Sequence, residues 1–228
     1  MSANRVPSVI KGDNDVLIEE LAPLYFPRDA WTLDLTYGTG VFWKRYRPAE
    51  LTTNDLDTDT NAGHHEDWRR RTTFPSGGFA RVVFDPPYVS VGGRDTSTLE
   101  AKGSDMVARY AMHETEKNPW LHHVRTISPG IHEAARLCAP GGFVFVKAQS
   151  YVTGGRVQRG TVWVENSGVD AGLVWWDEVI HHTGLKAQPL TNPNGSKREQ
   201  QHVHGAHSVL IVFKKPALPK PRTKKGQP

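Results

Sequence analysis

The sequence predicts an α/β protein built on a doubly wound, mostly parallel β-sheet. Three observations support this expectation. Apolar runs of strand length alternate with helical patterns, two of these runs end on turns rich in glycine or proline, and 228 residues suit one domain. Strands separated by helices pair in parallel through right-handed crossovers. No helix is expected between 185–190 and the last apolar run, 208–213, which predicts an antiparallel pair at the sheet edge near the C-terminus.

The first half of the chain supplies two helices and three strands. In order, the predicted elements are helix 15–24, strand 31–35, helix 41–47, strand 51–54 and strand 81–84. The first helix has apolar residues at helical spacing and ends near Pro23 and Pro27. Pro48 stops the second helix, and a β-branched run marks the last strand.

The second half continues the alternation. In order, the predicted elements are helix 130–138, strand 143–147, helix 173–182 and strand 207–213, with 185–190 as the antiparallel partner of the last strand. Ser128 and Pro129 supply an N-cap and a first-turn proline for the first of these helices. The stretches 89–127 and 149–170 have no clear period and exceed ordinary connections, so we expect them to carry function.

Composition excludes several classes of protein. The one cysteine, Cys138, rules out a disulfide framework and any cysteine-rich zinc site. No apolar run approaches the ~18–20 residues of a membrane span, and the first residues lack a signal-peptide pattern. We therefore expect a soluble, cytoplasmic protein with no metal site and no membrane partner.

The positive charge is concentrated at the C-terminus. Residues 214–228 hold six cations and no acid, whereas the whole chain has a net charge of +4 and the remainder is slightly acidic. We expect a single domain over 1–213 and a disordered basic tail over 214–228. The tail would either contact a polyanion or act only as a solubilising end.

The first motif is a glycine turn after strand 31–35, which contains Asp34. The turn Thr36-Tyr37-Gly38-Thr39-Gly40 lets the backbone pass close under a ligand at the carboxyl edge of a sheet. Trp43 stands where a dinucleotide fingerprint has its third glycine, which weakens a nicotinamide-cofactor interpretation. Asp55 follows the next strand at the spacing of a ribose-binding acid, so the pattern predicts a nucleoside-cofactor site.

The second motif is Asp85-Pro86-Pro87-Tyr88, directly after strand 81–84. Two prolines make the turn stiff and remove two backbone donors, which leaves a cluster of acceptors beside an aromatic ring. Such a cluster suits an amino group on a flat heterocycle, with Tyr88 stacking on the ring. A purely structural turn is the alternative when this motif is considered alone.

Together, the two motifs resemble those of the S-adenosylmethionine-dependent amino-methyltransferases of DNA, the N6-adenine and N4-cytosine enzymes. The segment Pro140-Gly141-Gly142 and its following strand are similar to a strand of class I methyltransferases. The resemblance covers about residues 10–213 and implies a Rossmann-like class I methyltransferase fold with S-adenosylmethionine as cofactor.

The resemblance also implies roles for individual residues. Asp34, Thr36, Gly38 and Gly40 would shape the methionine end of the cofactor pocket, Asp55 would hold the ribose, and Asp67 would accept the adenine amino group. The segment 11–14 would be the amino-terminal cofactor motif. Asp85, Pro86, Pro87 and Tyr88 would form the catalytic site.

The expected activity is methylation of an exocyclic amine of a flipped DNA base, with adenine N6 favoured because of D-P-P-Y. The open alternatives are an N4-cytosine enzyme, an RNA guanine-N2 enzyme, and a nucleic-acid-binding module without catalysis. DNA is the expected partner, ahead of RNA, and 89–127 and 149–205 are the expected target-recognition segments. The recognition sequence and the oligomeric state stay open.

Overall fold

A seven-stranded β-sheet forms the centre of the protein. The structure is a computed structural model that describes residues 5–87, 118–153, 155–184, 201–203 and 205–219. The strands are β1 (Val9–Lys11), β2 (Thr32–Asp34), β3 (Leu51–Thr53), β4 (Phe79–Phe84), β5 (Cys138–Ala148), β6 (Tyr151–Thr153), β7 (Arg156–Gln158), β8 (Val174–His182) and β9 (His207–Lys214). Strands β6 and β7 form a separate two-stranded hairpin.

Helices lie between these strands in the chain. They are α1 (Asn14–Tyr25), α2 (Pro119–His122), α3 (Ser128–Leu137) and α4 (Gly160–Asp170), with a 3₁₀ turn at Val41–Trp43 and a π-helical turn at His123–Ile127 that joins α2 to α3. Within the part of the chain that the structure describes, no helix combines the length and the apolar character needed to cross a membrane.

The strand order is β1-β8-β9-β5-β4-β2-β3, and β9 alone among these seven runs antiparallel to its neighbours. The mostly parallel sheet and the antiparallel strand near the C-terminus are thus confirmed. The position at the edge was wrong, because β9 pairs with β5 on one side and β8 on the other. The expected partner segment, 185–190, lies outside the described residues.

The main error concerns residues 173–182, which form strand β8 and not a helix. Their apolar spacing is compatible with a helix, but β-branched and aromatic residues also favour a strand. Pairing with β9 and with β1 decides between the two, because a helix here would leave the facing edges of both strands without backbone partners. The tertiary neighbours therefore override the local pattern.

Three further segments differ from the sequence prediction. The stretch 149–170 contains β6, β7 and α4, and Gly168 of α4 lies so close to Phe213 that a Cβ would sit 2.3 Å from its ring. Helix α4 and strand β8 therefore belong to the sheet and its cover, and a recognition role for the rest of 149–205 stays a prediction. Of the helix expected over 41–47, only the 3₁₀ turn Val41–Trp43 forms, and the helical structure ends well before Pro48.

The basic tail begins later than expected. Lys214 is the last residue of β9, and the ammonium of Lys215 donates to the carbonyls of Ala135 (2.8 Å) and Cys138 (2.7 Å). A lysine whose donors are satisfied by buried carbonyls is part of the fold. Residues 220–228 lie outside the described residues.

Both faces of the central strands are buried, which is the arrangement of a doubly wound fold. Successive side chains alternate between faces, so Val82 and Phe84 join Val144 and Ile131 of α3 on one side. Val83 joins the α1 side, whose core also contains Leu17, Phe26, Phe145 and Leu210. The sheet is therefore held rigid between helices, and its strand ends are fixed in position.

Candidate active site

Three aspartates gather at the carboxyl edge of the sheet. Asp34 is the last residue of β2, Asp55 follows β3, and Asp85 comes directly after β4. Because β2 pairs in parallel with both β3 and β4, the three strands end at one edge. In open α/β sheets, ligands bind in the crevice beyond these strand ends. The structure thus brings together three of the acids selected from the sequence.

Asp34 is fully buried and anchors the glycine turn. Its Oδ1 accepts the backbone N–H of Thr36 at 3.0 Å, and its Oδ2 accepts the indole N–H of Trp43 at 2.6 Å. Burial raises the pKa of Asp34 to about 7, although the hydrogen bond from Trp43 opposes this rise. Trp43, which stands at the position of the missing glycine, closes the turn onto the strand end.

Two glycines of the turn adopt left-handed backbone conformations, with φ of +55° at Gly38 and +71° at Gly40. A Cβ on Gly40 would lie 2.5 Å from the hydroxyl of Tyr37, so any other residue here would displace that ring and also strain the backbone. At Gly38, no atom of the described residues lies within 4 Å of a Cβ position. The backbone there is open to a close approach by a ligand.

Asp55 is joined to this turn. Its Oδ2 accepts the N–H of Gly38 at 2.6 Å, and its Oδ1 accepts the N–H of Asp57 at 2.9 Å. Burial raises the pKa of Asp55, and these two amide hydrogen bonds oppose the rise. Each carboxylate oxygen keeps a second acceptor site, so Asp55 is able to receive the two hydroxyls of a ribose.

The Asp85 turn is joined to the same loop. The N–H of Asp85 donates to the hydroxyl oxygen of Thr36 at 2.7 Å. Pro86 and Pro87 are buried, and His122 Nε2 lies 2.8 Å from the carbonyl oxygen of Pro87. This rigid turn is therefore held by the glycine turn on one side and by α2 on the other. Tyr88 lies outside the described residues, so its stacking role stays a prediction.

Lys147 is a site residue that the sequence analysis did not identify. Its ammonium lies 3.7 Å from Oδ2 of Asp85 and donates to Oδ1 of Asn14 at 2.6 Å. Burial raises the pKa of Asp85, and the charge of Lys147 counteracts this rise. A lysine that ends the apolar run Phe143–Val146 is the sequence signal that was available. Through Asn14, the predicted amino-terminal motif 11–14 also reaches this edge.

Asp67 is already held in an ion pair with Arg69. Arg69 holds both of its oxygens, with Nε at 2.8 Å from Oδ1 and Nη2 at 3.0 Å from Oδ2. Burial alone would raise the pKa of Asp67, but the hydrogen bonds from Arg69 outweigh it and lower the pKa. An adenine amino group at Asp67 would therefore compete with an internal ion pair. Its neighbour Trp68 is in the core, against Phe84.

The described residues contain no group of three or more histidines, cysteines or acids arranged to hold a metal ion. The gathered aspartates instead face amide, indole and ammonium donors. The edge therefore carries carboxylate oxygens that are already hydrogen-bonded to backbone and side-chain donors.

Comparison with known proteins gives a likeness of fold. No protein-family model matches the sequence, and no curated protein matches it. Among solved structures, the [4+2]-cyclase SpnF aligns with a TM-score of 0.50 at 11% identity, over 89% of this chain and 81% of that one. The N-methyltransferase NodS of Bradyrhizobium japonicum aligns with a TM-score of 0.48 at 13% identity, over 88% and 94%.

A Thermus thermophilus protein described as a DNA modification methylase also aligns, with a TM-score of 0.37 at 15% identity over 67% of this chain. The present chain spans about half of that protein, 51% of its length. Identities this low bear on the fold alone.

The strand order and the internal antiparallel strand define a doubly wound α/β fold, and SpnF shares this fold. The protein is therefore a domain with this fold and with three aspartates gathered at the carboxyl edge of its sheet.

Proposed function

We propose that this protein is an S-adenosylmethionine-dependent methyltransferase that methylates an exocyclic amino group of a DNA base, adenine N6. The observation that carries the proposal is the hydrogen bond from the Asp85 amide to Thr36, 2.7 Å long. It joins the Asp-Pro-Pro turn to the glycine turn, so a group bound on one lies beside a group bound on the other. A transferase for two substrates needs this proximity.

The chemistry of the glycine turn fits the nucleoside cofactor. Asp55 retains acceptor capacity for two ribose hydroxyls, and the open Gly38 backbone permits close contact. The buried Asp34 fixes the turn through both of its oxygens. When bound, S-adenosylmethionine supplies an electrophilic methyl group on a sulfonium. Asp67 is the weakest member of the proposed set, because Arg69 already occupies its oxygens.

The Asp85 turn fits an exocyclic amine. The lone pair of such an amine is delocalised into its ring, which makes it a poor nucleophile. In the proposal, the Asp85 carboxylate and the Pro86 carbonyl accept hydrogen bonds from the two N–H groups of the amine. They thereby stabilise the positive charge that develops on the nitrogen during attack. Neither proline has a backbone donor, so the turn offers acceptors only.

Two features support a nucleic acid as the source of that amine. The D-P-P-Y motif resembles that of the DNA amino-methyltransferases, and the C-terminus is basic, with four cations within 220–228. A base within a duplex is inaccessible to a turn at the end of a sheet, so the target base would be flipped out. Phosphate contacts by the tail would position the nucleic acid without reading its sequence.

The test is incubation of the full chain with tritium-labelled S-adenosylmethionine and duplex DNA, followed by nucleoside analysis. We expect label in N6-methyladenine. Label in N4-methylcytosine, or in N2-methylguanosine when RNA replaces DNA, would change the substrate but keep the reaction class. No label in any nucleic acid, together with no cofactor binding by calorimetry, would leave a binding module on this fold.

The matched variants are Asp85→Ala and Asp170→Ala, the second at an exposed position of α4. Asp85→Ala should lower the rate of methyl transfer by about 100-fold or more, which is the usual effect of removing a group that stabilises charge in the transition state. Calorimetry should find a cofactor affinity within about twofold of normal, because Asp55 and the glycine turn are unchanged. Asp170→Ala should be fully active. Normal turnover by Asp85→Ala would contradict the mechanism.

A further inference from the structure

Lys147 occupies an unusual position for a lysine. Its side chain is only 7% exposed, within strand β5 at the carboxyl edge of the sheet. Lysines are almost never this buried unless they are paired, because a desolvated ammonium is costly. This burial calls for a specific reason.

The contacts of Lys147 point to such a reason. Its ammonium donates to Asn14 at 2.6 Å, lies 3.7 Å from Oδ2 of Asp85, and lies 5.4 Å from the centre of the Phe42 ring. The amide of Asn14 is neutral, so it orients the ammonium without neutralising it. Asp85 supplies the opposite charge, at a distance too long for a strong hydrogen bond but short enough for electrostatic pairing.

We propose that Lys147 is a positioning residue for Asp85: it holds Oδ2, keeps the carboxylate ionised, and leaves Oδ1 as the oxygen that receives the substrate amine. This inference rests on the proposed function for its consequence in methyl transfer. The pairing itself is independent of any substrate, and it can be measured on the protein alone.

The other charges around this pair set the size of the effect. Asp34 lies near enough to Asp85 for mutual repulsion, and Asp55 adds to the repulsion on Asp34. On the opposite side, burial and the charge of Lys147 lower the pKa of His181, which packs against Gly12, and the charge of Asp13 opposes this. Lys147 is therefore the cation that faces a group of acids. Without it, Asp85 would be a partly buried acid close to Asp34 with no opposing cation, which favours its protonated form.

Protonation of Asp85 would change both its hydrogen bonding and its charge. It would present a hydroxyl donor in place of one acceptor, and it would no longer stabilise positive charge on the amine nitrogen. Loss of Lys147 should therefore change the pH dependence of methyl transfer, and a change in packing alone would not do so.

The experiment compares Lys147→Gln, which is neutral and retains a donor for Asn14, with Lys147→Arg, which keeps the charge. Lys44→Gln is the matched control, since Lys44 is exposed on the surface. Carbon-13 NMR of aspartate carboxyls in the full chain, without substrate or cofactor, follows the titration of Asp85. The Asp85→Asn protein identifies the resonance.

Removal of an opposite charge within ~4–6 Å should raise the titration midpoint of Asp85 by ~1–3 pH units in Lys147→Gln. Lys147→Arg and Lys44→Gln should titrate like the unmodified chain, within about half a pH unit, because both keep a cation at the site. The acid limb of kcat/KM for methyl transfer should move by the same amount in Lys147→Gln, so its activity relative to the unmodified chain recovers at high pH.

An Asp85 midpoint that is the same in Lys147→Gln and in the unmodified chain overturns the inference, whatever the activity. If Lys147→Gln does not fold, as judged by circular dichroism, Lys147→Met supplies the neutral variant for the same titration. An unmodified chain that transfers no methyl group to any nucleic acid refutes the proposed function. The Asp85 titration then still decides whether Lys147 holds the carboxylate.

Discussion

Replacing Asp34 by asparagine should remove a large part of the pH dependence of stability. Burial raises the pKa of Asp34 from 3.8 to about 7, so the folded state holds this proton more tightly than the unfolded state does. The stability that Asp34 contributes is therefore present at low pH. It is lost progressively as the pH rises from about 4 through 7.

The magnitude follows from the two pKa values of Asp34. Their difference corresponds to ~4 kcal/mol of free energy of unfolding between the ends of the titration. Asparagine has no such titration, but its amide nitrogen cannot accept from Thr36 or Trp43 as a carboxyl oxygen does. One of these donors would lose its partner, at a cost of about 1–3 kcal/mol.

The Asp34→Asn protein should therefore be less stable than the unmodified chain at pH 4, and this deficit should shrink or reverse by pH 8. Urea unfolding followed by circular dichroism at pH 4, 6 and 8 measures the change. Asp170→Asn, at an exposed position of α4, should keep the pH dependence of the unmodified chain. A difference between Asp34→Asn and the unmodified chain that stays constant from pH 4 to pH 8 would refute the reasoning.

Two further predictions concern the glycine turn and the tail. Gly40→Ala should lower the free energy of unfolding by about 1–2 kcal/mol in urea and weaken cofactor binding in calorimetry. The reason is that a Cβ would lie 2.5 Å from the Tyr37 hydroxyl and that φ at this residue is +71°. Unchanged values for both measurements would contradict the account of this turn. Deleting residues 220–228 removes four cations and should lower the slope of log affinity for duplex DNA against log salt by up to about 3–4, with the urea midpoint unchanged. An unchanged slope would show that the tail makes no phosphate contacts.

Much of the fold was predictable because its signals are local. The glycine turn after β2 and the stiff proline turn after β4 are read from adjacent residues, and helix α3 has Pro129 in its first turn as expected. The N-cap expected at Ser128 was wrong, because the preceding π-helical turn runs directly into α3 and Ser128 is already helical. Parallel pairing then requires the strand ends to meet at one edge. For this reason the sequence alone predicts that Asp34, Asp55 and Asp85 lie at one edge of the sheet.

What only the tertiary structure decided depends on residues far apart in the chain. Strand β8 forms because β1 and β9 lie on either side of it, and no window around residues 174–182 contains those partners. The role of Trp43 appears only when its indole reaches Asp34, and that of Lys147 only when β5 carries it beside Asp85 and Asn14. Local sequence determines which turns form and which chemical groups they carry. Long-range pairing and burial determine which groups meet, and the charge state of a buried carboxylate depends on that meeting.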